Sequence, residues 1–251
     1  MAYAASKYIN VVPEIEMPGH ALAALASYPE LSFDSTQTYK VSPTWGVFEQ
    51  VFCPSETTFK FFEGVMDEVV ELFPSEYIHI GGDECPKTAW KNSAFCQQLI
   101  RQLGLKDDVT PSKVDGVKHS KEDKLQSYFV TRMEKYLNDK GRNIIGWDEI
   151  LEGGLAPNAT VMSWRGVEGG LNAAKAGHNA IMTPMPYAYL DFYQEDPAIA
   201  PTTIGGYTTL KKTYSYNPAP DDADELVKKH VIGMQGNIWR EYMKNSDRTD
   251  Y

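Results

Sequence analysis

Two adjacent acids, Asp83 and Glu84, follow a short apolar run and two glycines in the segment Tyr77-Ile78-His79-Ile80-Gly81-Gly82-Asp83-Glu84. The run predicts a strand, and the glycines allow a sharp turn and a close approach to a ligand. The more buried of two neighbouring acids stays protonated near neutral pH while the other ionises. A proton donor beside an anion suits glycoside cleavage. The simpler alternative is a strand end with solvated acids, and the glycines and the downstream aromatic residues argue against it.

Three tryptophans, Trp147, Trp164 and Trp239, each come just after a predicted strand. A single tryptophan is usually a packing residue. Three at equivalent strand ends instead predict an apolar box that holds a methyl group and the face of a sugar ring. Asp191 and Glu241 lie in the same regions and could accept hydrogen bonds from sugar hydroxyls.

His20 follows a Pro-Gly pair after the first predicted strand. Its position is compatible with two roles, a direct ligand contact or a partner that orients a carboxylate. The three cysteines are too few for a disulfide framework, and no Cys/His cluster has metal-ligand spacing. The sequence therefore predicts no metal site.

Composition excludes several classes of partner. The net charge is −10 at pH 7, and no basic stripe exists to neutralise phosphates, so neither a nucleic acid nor an anionic membrane surface is expected. The sequence contains no run of 18 apolar residues, so no membrane span is predicted. A chain of 251 residues that is 42% hydrophobic can form one α/β barrel or two smaller domains.

Short apolar runs alternate with helical patterns along the chain. Each run is apolar on both faces, which is typical of buried parallel strands. The alternation predicts a parallel α/β sheet in one domain over residues 1–251, with functional residues at the carboxyl ends of the strands. The predicted strands are Tyr8–Ile15, Tyr77–Ile80, Asn143–Trp147, Thr160–Trp164, Asn179–Thr183 and Val231–Gln235.

Four helical patterns fill the intervals between these runs. Ser55 caps the first pattern, the second contains Trp90, Leu99 and Leu103, the third begins near Leu125, and the fourth ends before Gly177. Two stretches interrupt the rhythm. Residues 107–123 predict a solvated loop, and the long Tyr- and Pro-rich stretch 187–222 predicts an ordered loop near the site.

At this point the chain resembles a known family, the family 20 glycoside hydrolases or β-N-acetylhexosaminidases. The segment His79–Glu84 is similar to the signature of that family, and the further similar motifs follow in the family's order. They are Pro13–His20, Gly146–Glu149, Ser163–Gly166, Tyr189–Asp191 and Gln235–Glu241.

The resemblance implies removal of terminal β-linked N-acetylhexosamine, GlcNAc or GalNAc, by a retaining mechanism in which the 2-acetamido oxygen of the sugar is the nucleophile. It implies no cofactor, and a secreted, periplasmic or lysosomal location. The implied catalytic residues are Glu84 as general acid and base, Asp83 as the partner of the acetamido nitrogen, and Tyr189 as the partner of the acetamido oxygen. The implied substrate-binding residues are His20, Trp147, Trp164, Asp191, Trp239 and Glu241.

The family fold is a TIM (β/α)8-type barrel, and this chain shows about six of its eight strands. We therefore expect an incomplete barrel, truncated at both ends relative to the family, with possible self-association through its open edges. The alternative function is that of an inactive carbohydrate-binding or folding fragment of such an enzyme.

Overall fold

The computed structural model describes residues 1–242, and the chain forms two compact units, Met1–Thr160 and one that begins at Val161. The expectation of a single barrel domain over residues 1–251 stays a prediction. Within residues 1–242, none of the helices combines the length and apolar character that crossing a membrane requires.

The first unit contains two parallel strands, whose register aligns Ile78 with Ile144 and His79 with Ile145. Both strands were predicted from sequence, and both are almost entirely buried. The elements are α1 (Ala2–Ser6), α2 (Leu22–Ser27), a 3-10 turn (Pro29–Leu31), α3 (Glu56–Leu72), β1 (Tyr77–His79), α4 (Thr88–Asn92), α5 (Ala94–Gln102), α6 (Lys121–Asp139), β2 (Asn143–Trp147) and a 3-10 turn (Asp148–Leu151).

The strand predicted over Tyr8–Ile15 is wrong for most of its length. Tyr8 is fully exposed, and regular pairing is limited to a parallel bridge between Glu14 and His79. Ile15 N donates to His79 O at 2.9 Å, and His79 N donates to Pro13 O at 2.9 Å. Pro13 has no N–H group to extend this ladder. The short pairing nevertheless places residues 14–20 beside the end of β1.

Two helices with strong caps form the core of the first unit. The Ser55 side chain accepts a hydrogen bond from Thr58 N, which starts α3, and Ser120 forms a capping box with Asp123 at the start of α6. Phe59 of α3 and Phe129 of α6 pack with ring centroids 4.7 Å apart. Burying one such side chain is worth about 1.5–3 kcal/mol.

The helical pattern around Trp90 is divided into two helices rather than one. Ser93 ends α4 and caps α5, because its side chain accepts a hydrogen bond from Cys96 N at 3.2 Å. Trp90 is fully buried, and its indole N–H donates to Phe52 O at 3.1 Å. The single apolar pattern is therefore shared by two helices, and Trp90 lies in the core.

The second unit also contains parallel strands. Val161 aligns with Ala180, and Met182 aligns with Met234. The predicted long loop is partly ordered by two short helices and by stacking of Tyr187 on Tyr216. The elements are β3, which begins at the unit boundary (Thr160–Ser163), α7 (Glu168–Lys175), β4 (Ala180–Met182), α8 (Met185–Ala188), α9 (Leu210–Tyr214), α10 (Glu225–His230) and β5 (Val231–Met234).

The last strand differs from the buried strand that its sequence predicted. Ile232 is 48% exposed and Met234 is 41% exposed, whereas β3 is buried along its whole length. The apolar character of β5 does not by itself specify what packs on it. Self-association of the chain stays a prediction.

Candidate active site

The acid pair lies where the backbone leaves β1 through an unusual turn. Gly81 and Gly82 have φ values of 66° and 94°, and Glu84 itself has a φ of 44°. A Cβ atom on Gly81 would overlap the Glu16 carboxyl group, so a larger residue there would have to displace that side chain as well as adopt a positive φ. The sharp turn predicted from the two glycines is therefore present and brings the backbone close to the Glu16 carboxyl group, and a close approach to a ligand stays a prediction.

His20 lies between the two acids. Its Nε2 atom is 3.4 Å from Asp83 Oδ2 and 3.4 Å from Glu84 Oε2. The hydrogen bond to Asp83 raises the pKa of His20 against the opposing effect of burial, and the charges of Asp83, Glu84 and Glu14 add to the rise. These distances place His20 as a partner of both carboxyl groups, and its direct contact with a ligand stays a prediction.

Glu84 has the electrostatics of a proton donor. Burial raises its pKa, and the negative charge of Asp83 adds to this, although the neighbouring His20 acts in the opposite direction. Its side chain keeps 35% of its surface exposed, so a substrate oxygen can reach the carboxyl group. A protonated and accessible carboxyl group can deliver its proton to a leaving group.

Glu16 supports the acid pair from behind. Gly82 N donates to Glu16 Oε1 at 2.9 Å, and the carboxyl group of Glu16 hydrogen-bonds that of Asp83. Burial and then the charge of Asp83 raise the pKa of Glu16 well above its usual range, against the effect of the Gly82 N–H group. The structure thus favours a proton on Glu16, which gives the Asp83 carboxylate a donor.

Glu14 joins the site to Trp147. The indole N–H of Trp147 donates to Glu14 Oε1 at 2.8 Å, and His79 Nδ1 lies 3.2 Å from the same oxygen. Burial acts to raise the pKa of Glu14, but the hydrogen bonds from His79 and Trp147 and the charge of His79 outweigh it and lower the pKa. Trp147 is buried and packs on the His79 ring, with centroids 4.8 Å apart.

The same cluster has the donor set of a small cation site. His20, Asp83 and Glu84 each bring one ligand atom to within 4.8 Å of the others. Asp83 and Glu84 are adjacent in the chain, whereas His20 lies 63 positions before Asp83, so no spacing typical of a metal site announces this grouping. The separations of 3.4 Å from His20 to each carboxylate also fit a hydrogen-bonded ion-pair network, and the raised pKa of His20 matches that arrangement.

The second unit contains the other predicted residues, and two of their aromatic rings are neighbours. Trp164 and Tyr189 have ring centroids 6.3 Å apart, and Tyr189 and Asp191 are both buried. Burial raises the pKa of Asp191, and the charge of Glu241 adds to it, while the N–H groups of Asp191 and Trp239 act against it.

Backbone pairing holds these segments together. Tyr189 forms a parallel bridge with Asn237, Leu190 N donates to Asn237 O at 2.8 Å, and Asn237 N donates to Ala188 O at 2.7 Å. Trp239 follows two residues later and is 37% exposed. The pairing therefore fixes the backbone on both sides of Asp191 and leaves part of the Trp239 surface accessible.

The family model described as glycosyl hydrolase family 20, catalytic domain, matches residues 1–251, the whole chain. The chain belongs to this family. The β-hexosaminidase of Porphyromonas gingivalis is 49% identical over 99% of the chain, and that of Vibrio furnissii is 34% identical over all of it. The chain spans 30% and 39% of the lengths of these family 20 relatives.

Solved structures of family 20 proteins have the same fold. An exo-β-N-acetylglucosaminidase from Vibrio harveyi, in complex with N-acetylglucosamine, superposes with a TM-score of 0.80 at 31% identity. The match covers 100% of this chain and 38% of the Vibrio harveyi chain. A β-N-acetylhexosaminidase from Bacteroides fragilis superposes with a TM-score of 0.74 at 32% identity. The match covers 95% of this chain and 45% of the Bacteroides fragilis chain. The predicted fold class, an incomplete TIM (β/α)8-type barrel, is confirmed.

Sequence reasoning placed Glu14 and Glu16 after the first predicted strand of this family 20 chain but gave them no catalytic or binding role. Both belong to the Pro13–His20 motif that carries His20, and this was the available signal. Their partners are distant in the chain: the Glu14–Trp147 hydrogen bond joins residues 133 positions apart. Such contacts become visible only once the strand register is known.

Proposed function

We propose that this protein is a glycoside hydrolase that removes terminal, non-reducing β-linked N-acetylhexosamine, GlcNAc or GalNAc, from glycans or glycoconjugates. The observation that carries the proposal is the group of two acids and a histidine at the end of β1, with His20 Nε2 3.4 Å from both Asp83 and Glu84. Membership of family 20 and similarity to named β-hexosaminidases support it.

Glu84 serves as the general acid in this proposal. It protonates the glycosidic oxygen as the bond to the leaving group breaks, and the resulting carboxylate then takes a proton from the attacking water. Its raised pKa and its partial exposure support the first role. His20, once protonated, stabilises the carboxylate form that the second role requires.

The nucleophile in this proposal is the acetamido oxygen of the sugar, so the product retains the β configuration. Attack places positive charge on the acetamido nitrogen, and the Asp83 carboxylate accepts its N–H and stabilises that charge. The hydrogen bond from Glu16 limits the positions that this carboxylate can take. Tyr189 is the proposed hydrogen-bond donor to the acetamido oxygen.

The remaining site residues bind the substrate. Aromatic faces hold the apolar side of the sugar ring and the acetamido methyl group, and carboxylates accept hydrogen bonds from hydroxyl groups. The 37% exposure of Trp239 supports such a role, because a sugar ring can stack on an accessible aromatic face. The proposed binding residues are His20, Trp147, Trp164, Asp191, Trp239 and Glu241.

The test is turnover of aryl N-acetyl-β-glucosaminide and aryl N-acetyl-β-galactosaminide by the purified protein, together with inhibition by a thiazoline analogue of the oxazolinium intermediate. We expect the β-anomer of the free N-acetylhexosamine as the initial product, and we expect the thiazoline analogue to inhibit competitively. A covalent glycosyl–carboxylate intermediate would contradict the acetamido mechanism. Thiazoline binding without any turnover would instead support the alternative of a carbohydrate-binding fragment.

A further inference from the structure

Glu14 is a charged residue that the proposed chemistry does not use, yet it contacts a residue of the proposed acetamido pocket. Its Oε1 atom accepts the indole N–H of Trp147 at 2.8 Å. The indole belongs to the last residue of β2 and is 3% exposed. A buried indole N–H needs a partner, and leaving one without a partner costs about 1–3 kcal/mol.

The position of Glu14 is itself fixed by the sheet. Glu14 forms a parallel bridge with His79, and the backbone bonds from Ile15 N to His79 O and from His79 N to Pro13 O close that bridge on both sides. Because β1 also pairs with β2, the carboxylate of Glu14 approaches Trp147 from a rigid backbone. A partner that cannot move can select one orientation of the indole.

The His79 ring completes the arrangement. It packs on Trp147 at a centroid distance of 4.8 Å, and its Nδ1 atom lies 3.0 Å from Gly81 N. The ring therefore lies between the indole and the first residue of the turn that carries Asp83. One face of Trp147 is held by His79, and the N–H edge is held by Glu14.

We propose that Glu14 is a positioning residue for Trp147: its carboxylate fixes the indole plane that forms one wall of the acetamido pocket. This inference rests on the proposed function for the role of the wall, but the contact itself does not depend on it. Glu14 does not contact the reacting atoms in this proposal. Its effect reaches the reaction through the orientation of the indole.

Two substitutions separate the hydrogen bond from the bulk of the side chain. Glu14→Gln keeps an acceptor oxygen of the same reach, whereas Glu14→Met keeps a similar length and removes the acceptor. Glu68→Met is the matched control, because Glu68 is an exposed glutamate on α3. If Glu14 acts through its pairing with His79 instead, the Gln variant loses the charge and should resemble the Met variant.

The binding readout is the affinity for the thiazoline analogue together with kcat and KM for the aryl N-acetyl-β-glucosaminide. For Glu14→Met we expect the affinity for the thiazoline analogue to fall about 10- to 100-fold, because the buried indole N–H loses its hydrogen-bond partner. The affinity of Glu14→Gln should stay within about threefold of wild type, a change smaller than the loss of one hydrogen bond would cause. The affinity of Glu68→Met should match wild type. Equal losses in the Gln and Met variants would overturn the proposal.

A double-mutant cycle tests whether the effect passes through the indole. In a Trp147→Phe background, which has no indole N–H, adding Glu14→Met should change thiazoline affinity little further. Fully additive losses would overturn the proposal, because Glu14 would then act independently of Trp147.

The indole N–H resonance gives a readout that does not need activity. In 15N-labelled protein the Trp147 signal is assigned by its loss in Trp147→Phe. It should shift or broaden in Glu14→Met and stay near its place in Glu14→Gln. Wild-type protein that neither binds nor cleaves would refute the proposed function alone, whereas an unchanged Trp147 signal in folded Glu14→Met would refute the positioning role.

Discussion

The turn after β1 and the segment after β5 both follow a parallel strand, yet they hold their side chains by different means. After β1, the backbone has positive φ angles at Gly81, Gly82 and Glu84, and both acids lie beside His20. After β5, ordinary backbone hydrogen bonds at Asn237 hold the chain, and the side chain of Trp239 keeps 37% of its surface exposed.

The difference indicates a division of labour. Charged groups that must change protonation are held by other charges, since their pKa values depend on neighbours within a few ångströms. Aromatic groups that recognise a ring need a fixed backbone and an accessible face. Substitutions after β1 should therefore lower kcat, and substitutions after β5 should mainly raise KM.

The largest expected effect is at Glu84. Glu84→Gln removes the transferable proton, and we expect kcat for N-acetylhexosaminides with poor leaving groups to fall about 10²- to 10⁴-fold. Aryl substrates with good leaving groups need little protonation and should lose less. The measurement is kcat for both substrate types, with Glu241→Gln as the carboxylate variant from the other region. An equal loss on both substrates would argue against the general-acid role.

Gly81 tests the strained turn through stability. Gly81→Ala places a methyl group against the Glu16 carboxyl group, whereas Gly104→Ala has a similar φ of 67° and open space around the new atom. The left-handed backbone alone costs an alanine about 1–2 kcal/mol, which we expect for Gly104→Ala. Gly81→Ala should cost roughly 2 kcal/mol more because of the clash. Equal free energies of unfolding in denaturant titrations would show that Glu16 moves away freely.

Local signals in the sequence predicted the elements that depend on local chemistry. Ser55 as a cap, the two glycines before Asp83 and the helix that contains Phe59 were all identified, because capping, φ preference and periodicity act within a few residues. The break at Ser93 was missed because Trp90 and the residues after it share one apolar pattern across two helices.

The parts that sequence could not predict depend on register and on neighbouring surfaces. The contact between Glu14 and Trp147 requires a bridge to β1 and the β1–β2 pairing together. The exposure of Ile232 depends on what covers β5, which the strand's own residues do not encode. Asp83 and Glu84 were recognisable as a pair, but the raised pKa of Glu16 follows from its burial and its closeness to Asp83, which no spacing reveals.

The histidine between the acids predicts a pH-dependent stability that the β5 region should lack. His20 has a raised pKa in the folded state, so its contribution is fully present below its unfolded pKa of about 6.5 and is lost as pH rises through the folded value. Wild type should therefore exceed His20→Asn in Tm by more at pH 5.5 than at pH 9. A Tm difference that is constant across this range would contradict the ion-pair network, and Trp239→Phe is the control with no titrating group.

The smallest expected effect is at Trp239 itself. Trp239→Phe keeps an aromatic face but removes part of the apolar surface and the indole N–H, at a position where part of the side chain remains in water. We expect KM to rise about three- to tenfold, which corresponds to about 1 kcal/mol of binding free energy, while kcat changes less than twofold. The same pair of constants for Glu84→Gln provides the contrast. If Trp239→Phe lowered kcat and left KM unchanged, Trp239 would be making its contact only in the transition state, and the division between a catalytic turn and a recognition segment would fail at the residue chosen to represent recognition.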